Sequence, residues 1–225
     1  MADARPSSPQ TESGAARRRH RAAAEILGIV GLILTIIWVV KPLGRPALDV
    51  WLRVLAGALL LGSPVAHHDS RARLGLRFDT FAGAAARLSP MTLLAAAVAT
   101  GAGYVLVSID PPPNAAVELT YYFVWAAAQQ YALQAVILLR LEDMGLRAGS
   151  PVAASAIFSL VHAPNPGLMI LTFLGGLLWC STFRKYPNIP ALALSHAVLA
   201  VVVVSTLPRE VTGGFRIGPE YLRPG

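Results

Sequence analysis

Seven apolar runs, all but one close to the length a helix needs to cross a bilayer, constrain this chain more than any other feature. A hydrocarbon layer about 30 Å thick is spanned by about 20 residues of α-helix. The runs are residues 22 to 40, 48 to 65, 91 to 109, 117 to 140, 151 to 163, 167 to 184 and 189 to 207. In lipid every backbone N–H and C=O must find a partner within the protein, and an α-helix satisfies them inside one segment. The expected fold is therefore an all-α, polytopic transmembrane bundle of about seven spans, with six to eight as the range. The fifth run is short and opens at Pro151, so it is either tilted or only partly spanning. Composition agrees: of 225 residues, 55% are hydrophobic and only 14% charged, too apolar a balance for an ordinary soluble domain.

Four regions follow. Residues 1–21 are polar and end in a basic cluster, which reads as a disordered cytoplasmic tail. Residues 22–89 hold the first spans and a basic segment, 71 to 88, whose Leu74, Phe78 and Phe81 fall at helical spacing, as in a helix lying on the inner membrane surface. Residues 90–207 hold the remaining spans, and the Gly- and Pro-rich residues 208–225 read as a loose tail. With the N-terminus inside, thirteen Lys and Arg, Arg140 among them, fall in inside segments and five outside, with Arg53 at the start of a span. That asymmetry is the one expected of basic inside loops. It also accounts for the net charge of +7 through anionic lipid headgroups, and no basic stripe with interleaved aromatics suggests a nucleic-acid partner. Arg- and Ala-rich usage points to a bacterial cytoplasmic membrane. Cys180, the one cysteine, permits no intrachain disulfide or thiolate cluster and reads as a small apolar filler.

Chemistry must then come from the few polar residues inside the spans. The stretch "WAAAQQYALQ" carries Gln129, Gln130 and Gln134 into an apolar helix; the fifth run ends at His162 and the seventh carries Ser195 and His196. Polar groups at membrane depth are costly unless partnered, and are functional candidates by default. Gln130 and Gln134, four residues apart, share a helical face. Phe158 precedes His162 by one turn and shares its face, and Pro164 ends that helix. Two histidines without a carboxylate or cysteine fall short of the three protein ligands of catalytic zinc, so no metal or other cofactor is expected. "HHD" at His67 to Asp69 offers metal-ligand types, but a solvated loop is the simpler reading.

The runs "QQYALQ", "FSLVHAPNP" and "LTFLGGLLWCSTFRKYPNIPALALSHAVLA" resemble the CAAX protease and bacteriocin-processing (CPBP) family of intramembrane endopeptidases, over about residues 90 to 207. That family carries Glu-Glu-x-x-x-Arg, Phe-x-x-x-His and His-x-x-x-Asn on successive helices. Phe158, His162 and His196 match. Gln129, Gln130 and Gln134 stand where the family has two glutamates and an arginine, and Ala200 where it has Asn. The resemblance implies hydrolysis of a peptide bond in a membrane-associated or lipidated substrate, with the first motif and the histidines at the active site.

A carboxylate can take a proton from water and a carboxamide cannot. Loss of a general base costs about 10²- to 10⁴-fold in rate. Glu118 lies 11 residues before Gln129 and Glu142 lies 13 after it, about 16 and 20 Å along a helix axis, so neither substitutes. The remaining base is a neutral imidazole, His162 or His196, oriented by an amide. Three readings stand open: an endopeptidase with altered water activation, a silent relative that binds a membrane peptide or partner helix, and a transporter or structural protein. The last is disfavoured because the sequence displays no intramembrane charge pair. Substrate and oligomeric state are not encoded in any motif.

Overall fold

The computed structural model describes residues 9–223. Residues 1–8 of the expected N-terminal tail lie outside the described residues. The chain folds into α1 (Pro9–Thr35), which continues as a π-helix through Ile36–Val40, then α2 (Pro46–Ala66), α3 (Phe81–Leu106) and α4 (Ala115–Gln130). A second π-helix, Tyr131–Leu138, carries α4 into the short α5 (Leu139–Asp143). There follow α6 (Ser150–Leu160), α7 (Pro166–Phe183), α8 (Ile189–Thr206) and α9 (Arg209–Thr212).

Six of these stretches are long and apolar enough to cross a membrane: Ala16–Val40, Pro46–Ala66, Phe81–Leu106, Ala115–Asp143, Pro166–Phe183 and Ile189–Thr206. Helix α6, the short fifth run, is apolar but has only 11 residues. The protein is an all-α integral-membrane bundle, at the lower end of the expected span count.

The helix starts are written in the sequence. Asn114, Asn165 and Asn188 cap α4, α7 and α8, their side chains accepting from the N–H groups of Val117, Leu168 and Ala191. Proline occupies the first turn of α2, α6, α7 and α8, where its missing N–H costs nothing. Helix α8 packs along both α3 and α4, and α6 along α7. Small residues set these contacts: Ala126, Ala193 and Ala197 join α4 to α8, and a Cβ on Gly176 would come 2.9 Å from Ser155 Oγ across α6 and α7.

Four expectations change. Residues 9–21 are helical rather than disordered: their Ala and Arg are strong helix formers, and Arg21 pairs with Glu25 one turn on. The basic segment 71 to 88 is not one helix. Residues 71–75 and 79–80 form turns, and helix begins only at Phe81. Gly75 takes a left-handed φ of +71°, its carbonyl accepts from Ile189 N–H, and Asn188 Nδ2 donates to Arg77 O. The start of α8 thus claims the backbone groups a helix would need.

In the "HHD" loop only His68 is exposed. His67 Nε2 lies 2.9 Å from Glu25 Oε1, and the Asp69 side chain is fully buried against Arg73 and Arg140. Arg140 is itself fully buried, bridging Asp69 and Asp143, with Glu25 3.7 Å away. It faces carboxylates rather than headgroups, and the ion pairs missing from the sequence reading join α1, the 67–73 loop and α5. Burial alone would lower the Arg73 pKa, but Asp143 and Asp69 hold it above the ordinary arginine value.

Nor is the C-terminal segment loose. Helix α9, two 3₁₀ turns (Gly213–Phe215 and Gly218–Glu220) and the loops between them fold back on the bundle. Lys41 Nζ reaches Glu220 Oε2 at 2.7 Å, and Gly218 N–H donates to Ala163 O at 2.8 Å.

Candidate active site

Helices α4, α6, α7 and α8 deliver the polar side chains to one region. Phe158 is its centre. Its ring packs edge-to-face on both candidate histidines, with centroids 5.0 Å from His162 and 6.2 Å from His196. The shared face expected of Phe158 and His162 is thus present, and α8 brings His196 to the same ring. Trp179, on α7, stacks on the other imidazole: its centroid is 4.3 Å from that of His196, at an interplanar angle of 27°. Its Nε1–H donates to Ser195 Oγ at 3.2 Å, and Ser195 Oγ is 2.8 Å from Thr92 Oγ1. The indole is therefore fixed at both ends of its contact with α8.

Two of the three glutamines form a chain leading to this cluster. Gln134 Nε2 donates to Gln130 Oε1 at 3.0 Å, and Gln130 Nε2 lies 3.3 Å from His196 Nδ1. Both side chains are fully buried. The π-helix begins directly after Gln130, and the four-residue spacing sets Gln134 against Gln130. Gln134 Oε1 has no hydrogen-bond partner among the described residues. Gln129 is half-buried, and among the described residues its amide makes no hydrogen bond to either histidine. Ala200, in place of the Asn of the third motif, is also half-buried and offers no polar atom.

The hydrogen bonds assign the imidazole protons. His162 Nδ1 is 2.7 Å from Phe158 O, and a carbonyl only accepts, so Nδ1 carries the proton and Nε2 keeps its lone pair. His196 faces the opposite group. An amide NH₂ only donates, so His196 Nδ1 accepts from Gln130 and the ring proton sits on Nε2. One neutral imidazole thus presents an acceptor at Nε2 and the other a donor. Among the described residues no set of three or more His, Cys, Asp or Glu is placed to hold a metal ion.

Residues 111–202 match the family model described as type II CAAX prenyl endopeptidase, Rce1-like. That segment is similar to the CAAX protease family. The match covers less than half of the chain and contains Gln129, Gln130, Gln134, His162 and His196. Comparison with curated proteins and with solved structures finds no match. Within this segment, two contributors were not apparent from the sequence. Trp179 had no polar or motif signal and is recognisable only once α7 lies against α8. Asn165 carried a local signal, an Asn before Pro166 at a helix start, but its further bonds run to residues 212 and 216.

Proposed function

We propose that this chain is an integral-membrane endopeptidase of the CAAX protease type in which an imidazole, rather than a glutamate, activates water. The observation that carries the reading is that the two histidines sharing the Phe158 ring have opposite partners at Nδ1, a carbonyl oxygen for His162 and an amide nitrogen for His196. In the proposed reaction His162 Nε2 accepts a proton from water as the water oxygen adds to the scissile carbonyl carbon. The resulting oxyanion is met by His196 Nε2–H and the Gln129 amide. Collapse of the intermediate breaks the C–N bond, and the proton on His162 passes to the leaving nitrogen, giving a carboxylic acid and an amine. The substrate is a membrane-associated peptide bearing a lipid anchor, processed in a bacterial cytoplasmic membrane with the chain's N-terminus on the inner side.

A second reading, a silent relative that binds such a peptide, is favoured by one observation. Gln134 donates to Gln130 where the family carries charges, so a hydrogen bond joins these two positions without a carboxylate. The experiment that separates the two is incubation of the purified protein in nanodiscs with prenylated and unmodified membrane-anchored peptides, with products read by mass spectrometry. Cleavage that is lost in both His162→Ala and His196→Ala supports the imidazole-based hydrolase; cleavage retained in both rejects it. No cleavage by the natural chain, with activity appearing in Gln129→Glu/Gln130→Glu/Gln134→Arg, identifies the binder.

A further inference from the structure

The single bond that fixes the His162 proton depends on an unusual use of the Phe158 carbonyl. In a continuing α-helix that carbonyl would accept the His162 backbone N–H. Here the helix tightens into i→i−3 bonds. His162 N–H goes to Ser159 O at 2.9 Å, Ala163 N–H to Leu160 O at 3.0 Å and Asn165 N–H to His162 O at 3.2 Å. Phe158 O is left for the imidazole. If the turn relaxed to α-helical geometry, the backbone N–H would take the same oxygen and His162 Nδ1 would lose its acceptor.

Helix α6 alone does not determine this turn. Asn165 is fully buried and bonded on every side: Nδ2 donates to Thr212 O at 2.8 Å and to Arg216 O at 2.9 Å, and Oδ1 accepts from Leu168 N–H at 3.1 Å. Gly218 N–H holds the neighbouring Ala163 O. The segment that supplies these groups, Arg209–Glu220, follows the last residue of the family match. It is anchored in turn on the end of α1: a Cβ on Gly218 would collide with Ile37, and Glu220 pairs with Lys41. Closeness runs the whole length of the contact, since a Cβ on Gly167 would overlap Val211 O.

We propose that Asn165 is a positioning residue for His162, and that the C-terminal segment Arg209–Glu220 holds the turn that selects the Nδ1–H tautomer of that histidine. The inference rests on the reading of His162 as the base. Asn165 touches no reacting atom; it acts through the 162–165 turn. A helix cap alone would need only its Oδ1, whereas this role needs both donations from Nδ2.

The test uses the full chain in nanodiscs with ¹⁵N-labelled histidine, and long-range ¹⁵N–¹H correlation to read which ring nitrogen of His162 and of His196 bears the proton. Asn165→Asp keeps an acceptor for Leu168 N–H and loses both donations to the C-terminal segment. It is expected to turn His162 from a single Nδ1–H form into a mixture with Nε2–H while His196 stays as it is. Gly218→Ala, which leaves Asn165 intact and drives the segment off Ile37, is expected to do the same. If Asn165→Asp disturbs both histidines together, the variant has lost its fold and Gly218→Ala decides the matter. His162 unchanged in Gly218→Ala, or in a folded Asn165→Asp, overturns the proposal. Where cleavage is measured, kcat should fall with KM unchanged. The tautomers are read without substrate, so a chain that cleaves nothing rejects the hydrolase reading and leaves the positioning role separately tested.

Discussion

At Gln130 the carboxamide makes a pair of bonds that a carboxylate in the same place would not. It accepts from Gln134 and donates to His196 Nδ1, whereas an ionised glutamate only accepts. Gln130→Glu should therefore draw the His196 proton onto Nδ1, and ¹⁵N spectroscopy should report the reversed tautomer; an unchanged Nε2–H signal would show that the amide does not set it. Trp179 is a second residue whose role is contact. Trp179→Phe keeps a ring against His196 and loses only the bond to Ser195, so cleavage should fall less than 10-fold, while Trp179→Ala should lose about 10²-fold, the lower end of what a misplaced catalytic group costs. Equal losses in the two variants would place the effect in the hydrogen bond. At this scale the sequence disclosed the polar residues inside the spans, Gln129, Gln130, Gln134, His162 and His196, and the structure brings all but Gln129 together around Phe158. The sequence withheld the direction of each bond, because a proton's position depends on the atom across the gap.

Helices are where the sequence reads most directly. Each long run became a helix, although α1 and α3 begin ten or more residues before the expected limits, and an Asn with a Pro one or two residues on marks the starts of α7 and α8. The two π-helices were not legible, since a one-residue widening leaves apolar patterning intact in a helix that is apolar on most sides. Nor was the α6–α7 contact, where Gly176 accommodates Ser155. Gly176→Leu should wedge the pair apart and move His162 away from His196. The expected outcome is a drop in thermal stability corresponding to about 1–3 kcal/mol, the usual cost of overpacking, and loss of the Trp179 and His196 stacking signature in near-UV circular dichroism. A stable variant with that signature intact would mean that α7 has room to spare. Asn188 serves two elements at once, capping α8 and holding Arg77 O. Its replacement by Ala should cost about 1–2 kcal/mol, seen as earlier unfolding in denaturant.

Across the molecule the two ends of the bundle are held by different chemistry. One end is closed by the C-terminal segment on Asn165, Ala163 and Lys41. The other is closed by charges: Arg140 and Arg73 against Asp69 and Asp143, with Glu25 shared between His67 and Ser63. Taking one partner from a buried ion network leaves an unpaired charge and costs about 3–5 kcal/mol. Arg140→Met should therefore destabilise the protein by that amount, whereas Arg140→Met with Arg73→Met, Asp69→Leu and Asp143→Leu together, which removes both charges of each sign, should recover much of the loss. Thermal unfolding in one detergent compares the two; a quadruple variant no better than the single one would show that the network contributes more than its own compensation.

The sequence by itself determined the solvent, and through it the class of fold. A chain with these apolar runs has no water inside the bilayer for its amides, so it must be helical there, and the polar residues that remain must face one another. It also displayed three helices whose polar residues resemble the motifs of the CAAX protease family, with the family's charges replaced by amides. Only the tertiary structure decided which groups meet. Arg140 and the 67–69 stretch looked like loop positions because one-dimensional pattern records hydropathy and not partners separated by 71 residues. The C-terminal segment looked loose because its Gly and Pro content is that of a linker, while its order comes from carbonyls that Asn165 reaches across 47 and 51 residues. Hydrophobic period is a property of one segment, whereas hydrogen bonds and ion pairs between segments are properties of their packing.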